Sequence, residues 1–236
     1  MLPVCQPCVP ALVAAAVMAE DRNPASPRSL TLMAGPIDTR VNPTAVNVLA
    51  KTRPLGWFER NVIATVPLRY KGAFRRVYPG FVQLGAFMNM NLGRHQKAFS
   101  GLFANVLHGE DARAETVRDF YEECFAVLDL TAEFYLETVS TIFQRHALAL
   151  GELEYHGRRV DPAAITRTML LTIEGERDDI CAVGQTAAAH DLCTGLRPFE
   201  RRQHLQAGVG HFGVFSGRRW QREVYPLVRT MILASD

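Results

Sequence analysis

The sequence predicts an α/β protein: a parallel sheet flanked by helices, with a large helical insertion. Two runs and the gap between them carry that prediction. Leu30-Thr31-Leu32-Met33-Ala34 and Thr168-Met169-Leu170-Leu171-Thr172-Ile173 are short, nearly continuous apolar runs. That is the pattern of strands buried on both faces of a parallel sheet. Between them, from Pro36 to about Ile165, strand signals nearly vanish and helical periodicity takes over.

The elements follow in order. Residues 9–19 are apolar but too short to span a membrane, which takes ~20 residues. No basic residues precede them and Glu20-Asp21 follow, so a signal peptide is not expected. They read as a buried helix. A Pro/Asn/Ser loop over 23–27 leads to the first strand, which ends at Gly35-Pro36. The opening is therefore strand remnant, helix, strand, the rhythm of a wound parallel sheet. Helices are expected near 44–51, 56–64, 80–89 and 94–108. The longest helical stretch is 112–149, where Phe120, Cys124, Val127, Leu128, Thr131, Phe134, Tyr135, Thr138, Ile142 and Phe143 recur at spacings of three and four. Its length predicts one break. Residues 152–161 predict a hairpin around His156-Gly157. The second strand runs into the 174–180 turn, followed by a helix over 185–192, a last strand at His204-Leu205-Gln206, and a closing amphipathic helix over 220–233.

Composition narrows the function. A chain of 236 residues can bury one good core, and its 48% hydrophobic and 21% charged residues are ordinary for a globular protein. A net charge of +2 gives no argument for nucleic acid. Five cysteines cannot all pair, which favours a reduced, cytoplasmic setting. Cys5-x-x-Cys8 has the spacing of a redox or zinc pair, but no second CxxC or CxxH supplies zinc with ligands. No metal and no cofactor are expected.

The chemistry-bearing residues come in the order cysteine, acid, histidine. Cys5 stands just before the first helix, Asp178 lies in Gly175-Glu176-Arg177-Asp178-Asp179-Ile180, and His211 lies in Val209-Gly210-His211-Phe212-Gly213. Nucleophile, acid, histidine is the chain order of α/β-hydrolase triads. An elbow of that fold exposes its nucleophile on a sharp strand-to-helix turn, and the next backbone N–H, here that of Gln6, faces the developing oxyanion. The helix N-terminus beside Cys5 favours a thiolate. The glycines of a Gly-x-Ser-x-Gly elbow are replaced by Pro3 and Pro7, of which Pro7 suits a first helical turn. Asp178 follows a strand at the place of a triad acid, while its neighbour Asp179 reads as a helix cap. His211, between glycines after the last strand, can act as general base. His204 within a strand and His190 on a helix are poorer placed.

Together with the text between them, these residues resemble the intracellular polyhydroxyalkanoate depolymerases. The stretches that carry the resemblance are Val4-Cys5-Gln6-Pro7, Ala34-Gly35-Pro36-Ile37-Asp38-Thr39-Arg40, Pro43-Thr44-Ala45-Val46-Asn47 and Arg76-Val77-Tyr78-Pro79-Gly80-Phe81. Asp129 to Leu136, Glu174 to Ile180, Gly184-Gln185-Thr186 and Gly210 to Arg219 continue it. The resemblance covers nearly the whole chain and corresponds to the C-terminal half of that family.

It implies an α/β-hydrolase fold in which 1–35 form the nucleophile-elbow part of the core. Residues 36–165 would form a helical cap, and 166–236 the part of the core carrying acid and histidine. It implies Cys5 as nucleophile, Asp178 as acid and His211 as base, with the Gln6 N–H as an oxyanion donor. The implied substrate is polyhydroxyalkanoate or polyhydroxybutyrate, and the implied location is the surface of the cytoplasmic polymer granule. Only four residues precede Cys5, short of the ~5–6 of an ordinary strand. The expectation is that the N-terminal strands and the second oxyanion donor are absent, leaving a weakly active chain with an open sheet edge. Two alternatives stand beside this: a related synthase-like acyltransferase, and an inactive granule-binding remnant using Trp57, Phe58, Tyr78, Phe81, Phe87, Phe99 and Phe103.

Overall fold

A computed structural model describes residues 1–90 and 92–235; Asn91, within the expected helical insertion, and Asp236, at the end of the closing segment, lie outside the described residues. The chain divides into two compact units, one of Met1–Arg53 with Thr138–Asp236, the other of Pro54–Glu137. In chain order the helices are α1 (Cys8–Glu20), α2 (Ala45–Thr52), α3 (Leu55–Val62), α4 (Gly80–Met90), α5 (Leu92–Leu107), α6 (Asp111–Phe125), α7 (Ala132–Thr138), α8 (Ala189–Leu192), α9 (Gly217–Arg219) and α10 (Tyr225–Ala234). The strands are β1 (Ser29–Met33), β2 (Ala64–Thr65), β3 (Arg76–Tyr78), β4 (Leu130–Thr131), β5 (Glu154–Tyr155), β6 (Arg158–Arg159), β7 (Met169–Gly175) and β8 (Arg201–Gln206).

The first unit is built on a parallel sheet in the order β1-β7-β8. The chain start joins its free edge. Thr31 N–H donates to Met1 O (3.0 Å), Met33 N–H to Pro3 O (3.2 Å) and Cys5 N–H to Met33 O (2.8 Å). Only Val4 registers as a formal bridge, parallel to Met33, because Pro3 has no N–H to give the adjacent rung. The four residues thought too few for a strand therefore still align the Cys5 turn with β1.

The sheet is covered on both faces, as its continuous apolar runs require. Leu30, Leu32 and Leu170 pack with Cys8, Val9, Leu12 and Ala16 of α1. Met33, Leu171 and Ile173 pack with Val228 and Met231 of α10. The strand period of two sorts neighbouring residues to opposite layers. β8 begins at Arg201, three residues before the apolar cue, because an edge strand with exposed Arg202 and Gln203 carries no buried pattern.

Three expected helices break, each for a local reason. Over 185–192 only α8 is helical, because the Glu174 carboxylate captures the N–H groups of Gly184, Thr186 and Ala187. The closing helix is divided into α9, a wider-turned segment over Trp220–Val224, and α10. Pro226 cannot donate to the preceding turn. The 112–149 stretch stops at Phe125 and resumes at Ala132. Between these helices the Asp129 carboxylate accepts the Gly80 N–H at 2.7 Å and β4 pairs with β3.

The expected hairpin is formed by β5 and β6, with His156 at φ 50° and Gly157 at φ 74°. Two successive left-handed residues match the right-handed strand twist.

The second unit, α3 to α6 and most of α7 with β2-β3-β4, is mostly helical. The small antiparallel sheet in it escaped the sequence reading because two- and three-residue strands show no period. Its aromatics are split. Phe58 is buried and meets Trp57 and Tyr135 edge-on, while Phe81 is 75% and Phe103 67% exposed. Among the described residues no helix is long and apolar enough to cross a membrane.

Candidate active site

Cys5 adopts φ 63°, a left-handed conformation that non-glycine residues avoid and that marks strained turns at functional sites. The turn is pinned on both sides. Cys5 N–H holds β1, while Cys8 N–H donates back to Cys5 O (3.0 Å) and Ala11 N–H to Pro7 O (3.0 Å), starting α1 at once. Pro7, at φ −55°, is already helical. The Gln6 N–H finds no acceptor among the described residues and Gln6 is exposed. Room for the turn comes from the facing loop. A Cβ on Gly35 would lie 2.2 Å from Cys8 Cβ and 3.2 Å from Cys5 O. Gly35 thus lets the facing loop lie close against the Cys5 turn.

Asp178 and His211 are brought to the same end of the sheet, the carboxyl ends of parallel strands where ligands of such sheets bind. The Asp178 side chain is fully buried. Its Oδ1 accepts from Ile180 N–H (2.9 Å) and Cys181 N–H (2.8 Å), and its Oδ2 accepts from His211 Nδ1 (2.8 Å). The neighbouring Asp179 is exposed. Close backbone approach makes this pairing possible: a Cβ on Gly175 would stand 2.9 Å from Val209 O. His211 begins a short turn over His211–Val214 and sits edge-on to Phe212 and Phe215.

Cys5 is close enough to the same imidazole to act on it electrostatically. Burial, the largest influence on His211, lowers its pKa. The hydrogen bond to Asp178 and the interactions with Asp178 and Cys5 outweigh it and raise His211 from 6.5 to about 10. Cys5 thus stands beside a buried, hydrogen-bonded His211–Asp178 pair. The other histidines weighed are engaged elsewhere: His190 Nε2 with Thr172 Oγ1 (2.9 Å), and His204 Nε2 with Gln206 Oε1 (2.9 Å).

The remaining cysteines do not share this environment. All five are free thiols. Cys8 is turned inward, with Sγ donating to Pro3 O (3.4 Å) and Met33 O (3.5 Å), and burial pushes it up to about 12. Among the described residues no cluster of three His, Cys, Asp or Glu side chains could hold a metal ion.

Three residues of the site escaped the sequence reading: Gly35, Glu174 and Thr186. The Thr186 hydroxyl joins Gly35 N (2.8 Å) and Gly35 O (3.0 Å), and Glu174 is wholly buried. Each lies inside a stretch that carries the resemblance, which was the available signal. Their roles depend on partners 10 to 151 residues away in sequence.

A family model described as PHB de-polymerase C-terminus matches residues 34–236. The chain belongs to that family. The match takes in Asp178 and His211 and begins after Cys5. Among solved structures, the chain is similar to a monoacylglycerol lipase of Paleococcus ferrophilus, at 13% identity and TM-score 0.45, covering 95% of this chain and 65% of that one. It is also similar to a candidate lipase (lip1) of Acinetobacter baumannii AYE, at 13% identity and TM-score 0.40, covering 97% of this chain and 59% of that one. The chain thus spans less than two thirds of the length of either structure. No curated protein matches it.

Proposed function

We propose that this member of the PHB de-polymerase C-terminus family hydrolyses ester bonds of poly(3-hydroxyalkanoate), with Cys5 as nucleophile, His211 as base and acid, and Asp178 as the residue that orients His211. The observation that carries the reading is the left-handed Cys5 turn at the start of α1, beside a buried, hydrogen-bonded His211–Asp178 pair. Strain at a thiol on a helix N-terminus, facing a buried imidazole, suits an activated nucleophile better than a packing thiol.

In the proposed reaction the Cys5 proton resides on His211, and the thiolate Sγ attacks the ester carbonyl carbon. The carbonyl electron pair moves to oxygen, where the Gln6 N–H donates to it. As the carbon–oxygen double bond re-forms, the hydroxyacyl alkoxide leaves and takes the His211 proton, giving a thioester on Cys5. Water then gives a proton to His211 and adds to the thioester. The hydroxyacid leaves and the thiolate–imidazolium pair is restored. Asp178 accepts from Nδ1 throughout, which keeps Nε2 turned to sulfur and steadies the imidazolium.

Phe81, Phe103 and Leu107 of the second unit, all more than two-thirds exposed, support the surface of a polymer granule as the partner of this chain. Five free thiols suit a reducing compartment.

The test is release of 3-hydroxy acids from amorphous poly(3-hydroxybutyrate). Cys5→Ala should abolish it, and undiminished release by that variant would overturn the reading.

A further inference from the structure

We propose that Glu174 is a positioning residue that holds the Asp178 turn and the Cys5 turn in register through the loop over 181–187. The inference rests on the catalytic reading of Cys5, His211 and Asp178. Glu174 is the penultimate residue of β7, just before Gly175, and is wholly inaccessible to solvent. Its Oε1 accepts three backbone N–H groups, from Gly184 (2.9 Å), Thr186 (2.8 Å) and Ala187 (3.0 Å). Its Oε2 is buried without a partner among the described residues.

A buried carboxylate is costly to the fold, and an apolar residue there would pack at less cost. Crowding three amides onto one oxygen while the other goes unused shapes a loop rather than filling a core. That loop touches both halves of the site. At its start, Ile180 N–H and Cys181 N–H hold Asp178 Oδ1. At its end, Thr186 Oγ1 clamps both backbone polar groups of Gly35, and Gly35 abuts Cys8 and the Cys5 carbonyl. Cys181 Sγ lies 3.7 Å from Thr186 Oγ1 and closes the circuit between the two ends. One carboxylate oxygen thereby sets where the acid stands relative to the nucleophile. A misplacement of about 1 Å at a reacting pair costs on the order of 10²-fold in rate.

The experiment measures iodoacetamide alkylation of Cys5 against pH, resolved by peptide mass spectrometry, together with ester hydrolysis. The variants are Glu174→Gln, Thr186→Val and Thr186→Ser. Thr172→Val serves as a control that breaks a different buried bond on the same strand, to His190. Glu174→Gln and Thr186→Val are expected to slow Cys5 alkylation near neutral pH by about 10- to 10²-fold, and to lower kcat with KM little changed. Thr186→Ser, which keeps the hydroxyl, should stay close to the parent, as should Thr172→Val. A merely structural role predicts lower melting temperatures with unchanged Cys5 reactivity, and folded Glu174→Gln and Thr186→Val proteins of parental reactivity would overturn the proposal. Should Glu174→Gln not fold, the near-isosteric Thr186→Val decides alone. If His211→Gln leaves Cys5 alkylation unchanged, the catalytic reading itself fails and the Glu174 proposal falls with it.

Discussion

At the scale of single residues, the acid and the histidine are tied to fixed partners. Asp178 spends Oδ1 on two backbone N–H groups and Oδ2 on His211. Asp178→Asn would put an amide N–H against Nδ1 and favour the wrong tautomer. It should lower kcat/KM by about 10⁴-fold with little effect on fold, read by steady-state kinetics beside circular dichroism. The raised pKa of His211 sets a pH dependence. Its ordinary value is 6.5 and its folded value about 10, so the folded state holds this proton more tightly. The resulting stability is fully present below about pH 6.5 and is lost as pH rises through about 10. Urea midpoints measured from pH 6 to 11 should therefore fall over that window in the parent and fall less in His211→Gln. Activity should decline on the same alkaline side, since a neutral His211 has no proton for the leaving alkoxide.

At the scale of elements, backbone closeness places the side chains. Gly35 lets the loop after β1 lie against the start of α1, and Gly175 lets the end of β7 lie against Val209 and Gly210. Gly35→Ala would drive a methyl to within 2.4 Å of the Cys8 thiol. It should destabilise the protein by about 1–3 kcal/mol and slow Cys5 alkylation as well, because the displaced Cys8 begins the helix behind Cys5. Thermal unfolding and Cys5 alkylation of this variant should change together. Gly93 has open space around its Cβ position, and Gly93→Ala in α5 should be neutral or stabilising by the same thermal measurement. The broken helices belong to this scale too. The Glu174 carboxylate shortens the helix before Leu192, and Pro226 divides the closing helix.

At the scale of the whole molecule, two compact units carry separate tasks in the proposed function. The unit of Met1–Arg53 and Thr138–Asp236 holds Cys5, Asp178 and His211, while Pro54–Glu137 exposes Phe81 and Phe103. Replacing these two phenylalanines by aspartate should weaken co-sedimentation with poly(3-hydroxybutyrate) granules several-fold. Turnover of a small soluble ester should be left near parental level. Equal loss on both substrates would argue against a surface-binding role.

The sequence by itself determined the two buried strands β1 and β7 of the parallel sheet, the order of cysteine, acid and histidine, and membership of the family. The runs 30–34 and 168–173 are legible because burial on both faces selects apolar residues at every position. The hairpin at His156-Gly157 is legible because its turn chemistry is local. Only the tertiary structure decided the conformation of Cys5, the meeting of Asp178 with His211, and the roles of Gly35, Glu174 and Thr186. Each depends on groups far away in the chain: Thr186 meets Gly35 across 151 residues and His211 meets Asp178 across 33. Periodicity and propensity record the environment along a segment. A carboxylate that diverts three amides from a helix, or a glycine that makes room for another element, leaves no periodic trace. Its effect appears only when the strands bring those segments side by side.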